Sequence, residues 1–249
     1  VTLWRLEWLR LARTRRWLAL VGVYLFFGLL GPPSVRYASQ IMKRFAAGGV
    51  EIKFPTAIPA DGVATYLKNA SQIGLVVSVV IAAGALALDA QPAVSVFFRT
   101  RARSLAGIVL PRFVVTSLAV SAAFVIGVGA AWYETALLIG GLPVGTMLEG
   151  TVLGALYLVF AVAVVALSAS FARSVVGTIG VAVAVLLALP IMGLVRGVGP
   201  WMPSELVGAL DSLLRGGSLA DFTRAVLVTL AAIPAALAWA FRRLERREL

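Results

Sequence analysis

Six long apolar runs divide the chain, at 17–31, 72–88, 113–133, 150–171, 175–195 and 225–241. A helix needs roughly 20 mostly apolar residues to cross a bilayer, and only the first run is clearly short of that length. Charged residues fall almost entirely in the gaps. The pattern predicts an all-α transmembrane fold of six spans. Amphipathic stretches fill several gaps. In the opening segment Trp4, Trp8, Leu11 and Ala12 share one helical stripe, with Arg10 and Arg13 opposite. Tryptophans favour the headgroup layer and arginines anchor to it, so residues 1–16 are expected to form an interfacial helix joined by an elbow to the first span.

The outer gaps are also patterned. In the 32–71 loop, Ala38, Ile41, Met42 and Phe45 make one apolar stripe, and Val63, Tyr66, Leu67 and Ala70 make a second that leads into span 2. The Pro32-Pro33 pair is expected to end span 1. Within 196–222, Leu206, Leu210, Leu213 and Leu214 predict a short helix closed by Gly216-Gly217. These pieces together are expected to form a lid of surface helices. Trp132, Tyr133 and Trp201 fit an outer aromatic belt. With no repeat and no low-complexity linker, residues 1–249 read as one transmembrane domain.

Composition agrees with the pattern: 61% of the residues are hydrophobic and 13% charged, about half the charge of a soluble domain, and the mean hydropathy is +0.98. Charge then orients the spans. With the N-terminus inside, the inner segments hold 14 basic residues and 4 acids, net +10; the outer segments hold 8 and 7, net +1. Lys/Arg bias sets orientation, so both termini and the 89–112 loop are expected in the cytoplasm. The overall charge of +11 therefore reports topology, and no nucleic-acid partner is expected. Single cysteines at Ser39 and Ser218 should label from outside intact cells; labelling only after permeabilisation would reverse the orientation. Arginine outnumbers lysine 19 to 3, pointing to a GC-rich bacterium and a multi-pass protein of its cytoplasmic membrane. The first span lacks a following small-residue cleavage site and is expected to be retained.

Chemistry is narrowed by what is missing. The sequence has no histidine and no cysteine, which removes a Ser/His pair, a His-Glu-x-x-His zinc protease and the usual zinc, haem and iron–sulfur ligand sets. There is no Gly-x-x-x-x-Gly-Lys-Ser/Thr phosphate loop, and the "DGVAT" stretch at 61–65 lacks the remaining residues of a phosphatidyl-transferase motif. No metal site, bound cofactor or intrinsic catalysis is expected. The span cores carry no charge except at their ends, against an ion relay. Glu134 and Glu149 lie near the outer ends of spans 3 and 4; they read as solvated acids or, more sharply, as polar contacts for a substrate at the outer mouth.

The loop between spans 2 and 3 stands apart. Asp89 ends span 2, and Pro92 occupies the favoured first position of a short helix. Ala93, Val96, Phe97 and Thr100 share one face of it, and Ser95, Arg99 and Arg103 another. Positive-inside topology explains the arginines but not the Phe97-Phe98 pair, which a protein groove would bury more favourably than water.

At this point the chain resembles the ABC-2 type permeases, membrane subunits of bacterial ATP-driven exporters. The likeness lies in the basic elbow "WRLEWLRLARTRRW", the six spans, the 2–3 loop with its acid, short helix, "TR" and "PRF", the Pro-containing outer helix before span 6, and the tail "RRLERREL". In that family a glutamate usually stands where this chain has Asp89, and a proline where it has Ala102. The resemblance implies that residues 89–112 carry a coupling helix that docks on a separate ATPase, with Asp89, Pro92, Val96, Phe97, Phe98, Arg99, Arg101 and Arg112 at or near that contact. The 168–174 turn would be a second, smaller contact. It further implies a homodimer or heterodimer of permeases bearing two ATPase copies that hold the ATP and magnesium, with spans 1, 2 and 5 lining the path. Gly177, Gly180 and Ala184, and the Gly150/Gly154 pair, are candidate close-packing positions. A non-transporting scaffold or immunity factor, and an ion-coupled carrier, remain the alternatives.

Overall fold

The computed structural model describes residues 3–45, 57–87 and 106–246, and these residues contain no strand. Helix α1, Leu3–Arg13, is closed by the Thr14 hydroxyl, which donates to the Arg10 carbonyl at 2.8 Å. Arg15 then takes a left-handed φ of 53°, a conformation that costs an ordinary residue about 1–2 kcal/mol. The expected elbow is this turn. Helix α2, Arg16–Phe45, follows it directly.

Against expectation, α2 does not stop at Pro32-Pro33; both prolines lie inside it. A proline in a helix leaves the carbonyl four residues back without its donor, and packing decides whether that is tolerated. Here Gly31 and Pro32 are both buried, and Gly31 lies against the next helix. A Cβ on Gly31 would sit 3.2 Å from the Tyr66 amide nitrogen, so glycine lets the two backbones approach there.

The second span is also longer than its apolar run. Helix α3, Pro59–Asn69, passes through a π-helical turn at Ala70–Gly74 into α4, Leu75–Leu86. Val63, Tyr66, Leu67 and Ala70 are all buried. The helix expected on the outer surface is therefore part of the bundle. The Tyr66 hydroxyl is satisfied inside the bundle, donating to the Phe124 carbonyl at 3.0 Å.

Helices α5 (Ala106–Leu138), α6 (Val144–Ala169), α7 (Val175–Gly193) and α9 (Thr223–Arg246) complete the bundle. Helix α6 is its axis, packed on α4, α5, α7 and α9, while α2 packs chiefly on α5. The short helix α8, Ala209–Leu214, ends at Gly216 with φ 94° and closes on α6. Leu206, Leu210 and Leu213 are buried, so this cap is part of the core and no loose lid. The Gly150/Gly154 pair serves the same packing: a Cβ on Gly150 would meet the Leu210 Cα at 2.6 Å, and one on Gly154 the Phe124 ring at 2.8 Å. That pair is taken up by close packing inside the chain. Gly180 has nothing within 4 Å of its Cβ position, and Ala184 beside it is exposed.

Candidate functional site

The elbow end of the bundle is where charge and burial meet. Along α1, residues Leu3, Glu7, Arg10 and Leu11 recur at helical spacing and form the partly buried face, while Trp4, Trp8 and Arg13 are exposed. The exposed tryptophans leave the expected interfacial face open to its surroundings. Arg10 turns inward, toward the bundle.

Glu7 and Arg112 form an ion pair between α1 and the first turns of α5, with the Arg112 Nε donating to Glu7 Oε1 at 2.8 Å. Their side chains are 12% and 6% exposed, so the pair is largely withdrawn from water. The other branch of Arg112 reaches the end of α4, Nη1 donating to the Ala85 carbonyl at 3.3 Å. Arg10 repeats the pattern: Nη1 lies 3.7 Å from Glu7 Oε2, and Nη2 donates to the Gly84 carbonyl at 3.4 Å. The last carbonyls of a helix lack intrahelical donors and carry its partial negative charge. Two guanidiniums therefore complete the C-terminal turn of α4. Arg16 approaches the same turn, since a Cβ on Gly84 would meet its Nη1 at 3.0 Å.

This arrangement is a clasp. It ties α1, the end of α4 and the start of α5 together through one carboxylate and two arginines. Helix α4 ends at Leu86 and α5 begins at Ala106, so the clasp grips both ends of the intervening loop. Of the residues assigned to that loop, Asp89, Pro92, Val96, Phe97, Phe98, Arg99 and Arg101 lie outside the described residues. Arg112 alone is placed, and it is buried. A small cavity of about 20 Å³ beside the clasp is bordered by Glu7, Arg10, Arg16 and Thr116, a size and polarity suited to one water.

A second polar cluster lies mid-bundle at the π-helical turn. The Ser78 hydroxyl donates to the Gly74 carbonyl at 2.8 Å, so the Tyr24 hydroxyl, 3.1 Å away, donates to Ser78. Tyr24, Phe124, Gly154 and Tyr157 border a cavity of about 30 Å³. π-Helical turns occur often at functional sites. This one lets α4 leave the register of α3 while Tyr24 packs against Gly74.

Glu134 is half-buried and Glu149 exposed. Among the described residues neither makes an ion pair or side-chain hydrogen bond, and nothing there draws the two into one site. Sequence reasoning counted Glu7 only as an inner charge. Its signal was present: it is the one acid in a strongly basic segment, on the face that also carries Arg10. What the sequence did not offer was the partner, 105 residues away.

The molecule is thus a multi-pass helical membrane protein, with six helices among the described residues long and apolar enough to cross the bilayer: Arg16–Ala38, Pro59–Leu86, Gly107–Leu138, Val144–Ala169, Val175–Gly193 and Leu219–Arg246. No family model and no curated protein matches the chain.

Proposed function

We propose that this chain is the permease subunit of an ABC-2 type exporter, moving a substrate across a bacterial cytoplasmic membrane with energy from a separate ATPase. The observation that carries the reading is the clasp. Such a subunit needs a stiff connection between the loop touched by the ATPase and the helices that move. Here a largely covered carboxylate and two arginines join both ends of the 2–3 loop to the elbow helix. In this reading both termini face the cytoplasm, as the charge asymmetry implies, and two permeases pair with two ATPases. Phe97 and Phe98 fill an apolar cleft on the ATPase, with Arg99 and Arg101 against acidic groups at its rim. The ATP and its magnesium bind the partner.

Aromatic and arginine side chains are the commonest interface hot spots, and truncating one typically costs about 2 kcal/mol or more. Phe97→Ala combined with Phe98→Ala should release the ATPase in mild detergent, or uncouple its turnover from substrate, while the permease still inserts. Arg99→Gln should be milder and more salt-sensitive, as rim charges are. Co-purification and substrate-stimulated ATP hydrolysis read both effects. Wild-type values for the double variant would reduce the loop to a topology signal and remove the coupling assignment.

A further inference from the structure

At the far end of α9, residues Ala235, Trp239, Arg242 and Arg246 follow one another at i, i+4, i+7 and i+11, with Ala238 and Arg243 flanking them. All six are exposed, and together they line a recess of about 510 Å³. An even number of spans puts this end on the same membrane face as α1. We propose that this recess is a binding site for an anionic glycerophospholipid, the phosphate held by Arg242, Arg243 and Arg246 and the acyl chains laid along Ala238 and Ala235.

Three observations converge on that ligand. First, the cations are not neutralised: among the described residues none of the three arginines has an ion pair or side-chain hydrogen bond. Three guanidiniums within about one helical turn repel one another, and a phosphodiester relieves that. Second, the cluster is organised. The Arg243 guanidinium stacks 3.9 Å from the centre of the Phe171 ring, and Phe171 meets Trp239 edge-on at 6.2 Å. Positive-inside topology requires charge at this end of a span but no such stacking. A planar, stacked guanidinium loses little freedom on binding phosphate. Third, the site has depth. Ala238 and Ala235 lie about one and two turns back from Arg242 along the helix, toward the bilayer centre. A soluble acidic protein would reach the arginines and leave that floor bare; a lipid covers both. Trp239, at the join, is the residue type that favours the headgroup level.

The site is independent of any ATPase, so it stands or falls apart from the exporter reading. The measurement is native mass spectrometry of delipidated protein titrated with dioleoyl-phosphatidylglycerol or dioleoyl-phosphatidylcholine. Phosphatidylglycerol should bind at least tenfold more tightly in the wild-type chain. Arg243→Gln with Arg246→Gln should abolish that preference. Arg5→Gln with Arg196→Gln removes the same charge elsewhere and should keep it. Arg243→Lys should retain only part of it, since lysine holds the charge without the planar stack. Glycerol 1-phosphate at lipid concentrations should not displace the lipid, because it lacks the chains that fill the floor. Equal binding of the two lipids, equal loss in both double variants, or displacement by the soluble phosphate would each overturn the proposal.

Discussion

Glu7→Ala is expected to lower the unfolding free energy by about 3–5 kcal/mol, the usual cost of removing one member of a buried ion pair. The carboxylate is the hub of the clasp, accepting from Arg112 at 2.8 Å and lying 3.7 Å from Arg10. Without it, the Arg112 and Arg10 guanidiniums lose the carboxylate they share beside the end of α4. Replacing the pair by apolar residues removes the charges together. Glu7→Leu with Arg112→Met should therefore recover most of the lost stability, as apolar replacements of buried pairs often do. Thermal unfolding in detergent reads both outcomes, with Leu9→Ala on the exposed side of α1 as reference. A Glu7→Ala effect no larger than the reference would show that the clasp is ornamental. Under the exporter reading, the apolar double variant should insert and fold yet couple poorly, because packing alone lacks the directional tie from Arg112 to the Ala85 carbonyl.

The second large effect is expected at Gly127, where α5 meets α2. A Cβ there would lie 2.5 Å from the Tyr66 hydroxyl oxygen and 2.7 Å from the Tyr24 carbonyl oxygen. Neither neighbour can yield: one is backbone, and the other is held by its hydrogen bond to the Phe124 carbonyl. The facing Gly28 is as tight, its Cβ position overlapping the Gly127 carbonyl. Between spans there is little hydrophobic driving force, so association depends on close backbone approach through small residues. Gly127→Ala should cost about 2–3 kcal/mol, at the upper end for overpacking. Gly129→Ala, two residues on with nothing within 4 Å of its Cβ position, should instead be neutral or stabilising by about 1 kcal/mol, the helix-propensity gain. Paired melting curves settle the point; a Gly127→Ala protein as stable as Gly129→Ala would mean the two helices are not in contact there.

Much of the architecture was legible in the chain because its causes are local. Six apolar runs became six helices, since backbone groups in lipid must be satisfied within their own segment. The elbow was readable from the "RLARTRR" break between two apolar patterns, and the end of α8 from Gly216, which takes the left-handed φ that glycine tolerates. Helix limits were less legible. Pro32-Pro33 marks an end by local rules, yet α2 continues through both prolines with Gly31 packed closely on α3. Tyr66 carries a hydroxyl that water would also satisfy, and only the Phe124 carbonyl made it a core residue.

Part of the candidate site was legible too. Arg112 stood out as a basic residue at a span's start, but its partner did not, because a carboxylate 105 residues away leaves no periodic trace. The contrast is sharpest between α6 and α7. Their most apolar windows have the same mean hydropathy, 2.5, yet 67% of the first is buried and 17% of the second. Hydropathy reports transfer out of water, and lipid tails are as apolar as leucine, so it sorts helices into the membrane without saying which will touch protein. The pattern along the chain determined that there would be six spans, an elbow and a basic face. Tertiary structure decided which span became the axis: α6 alone packs on α4, α5, α7, α8 and α9 together, a matter of shape that hydropathy does not encode.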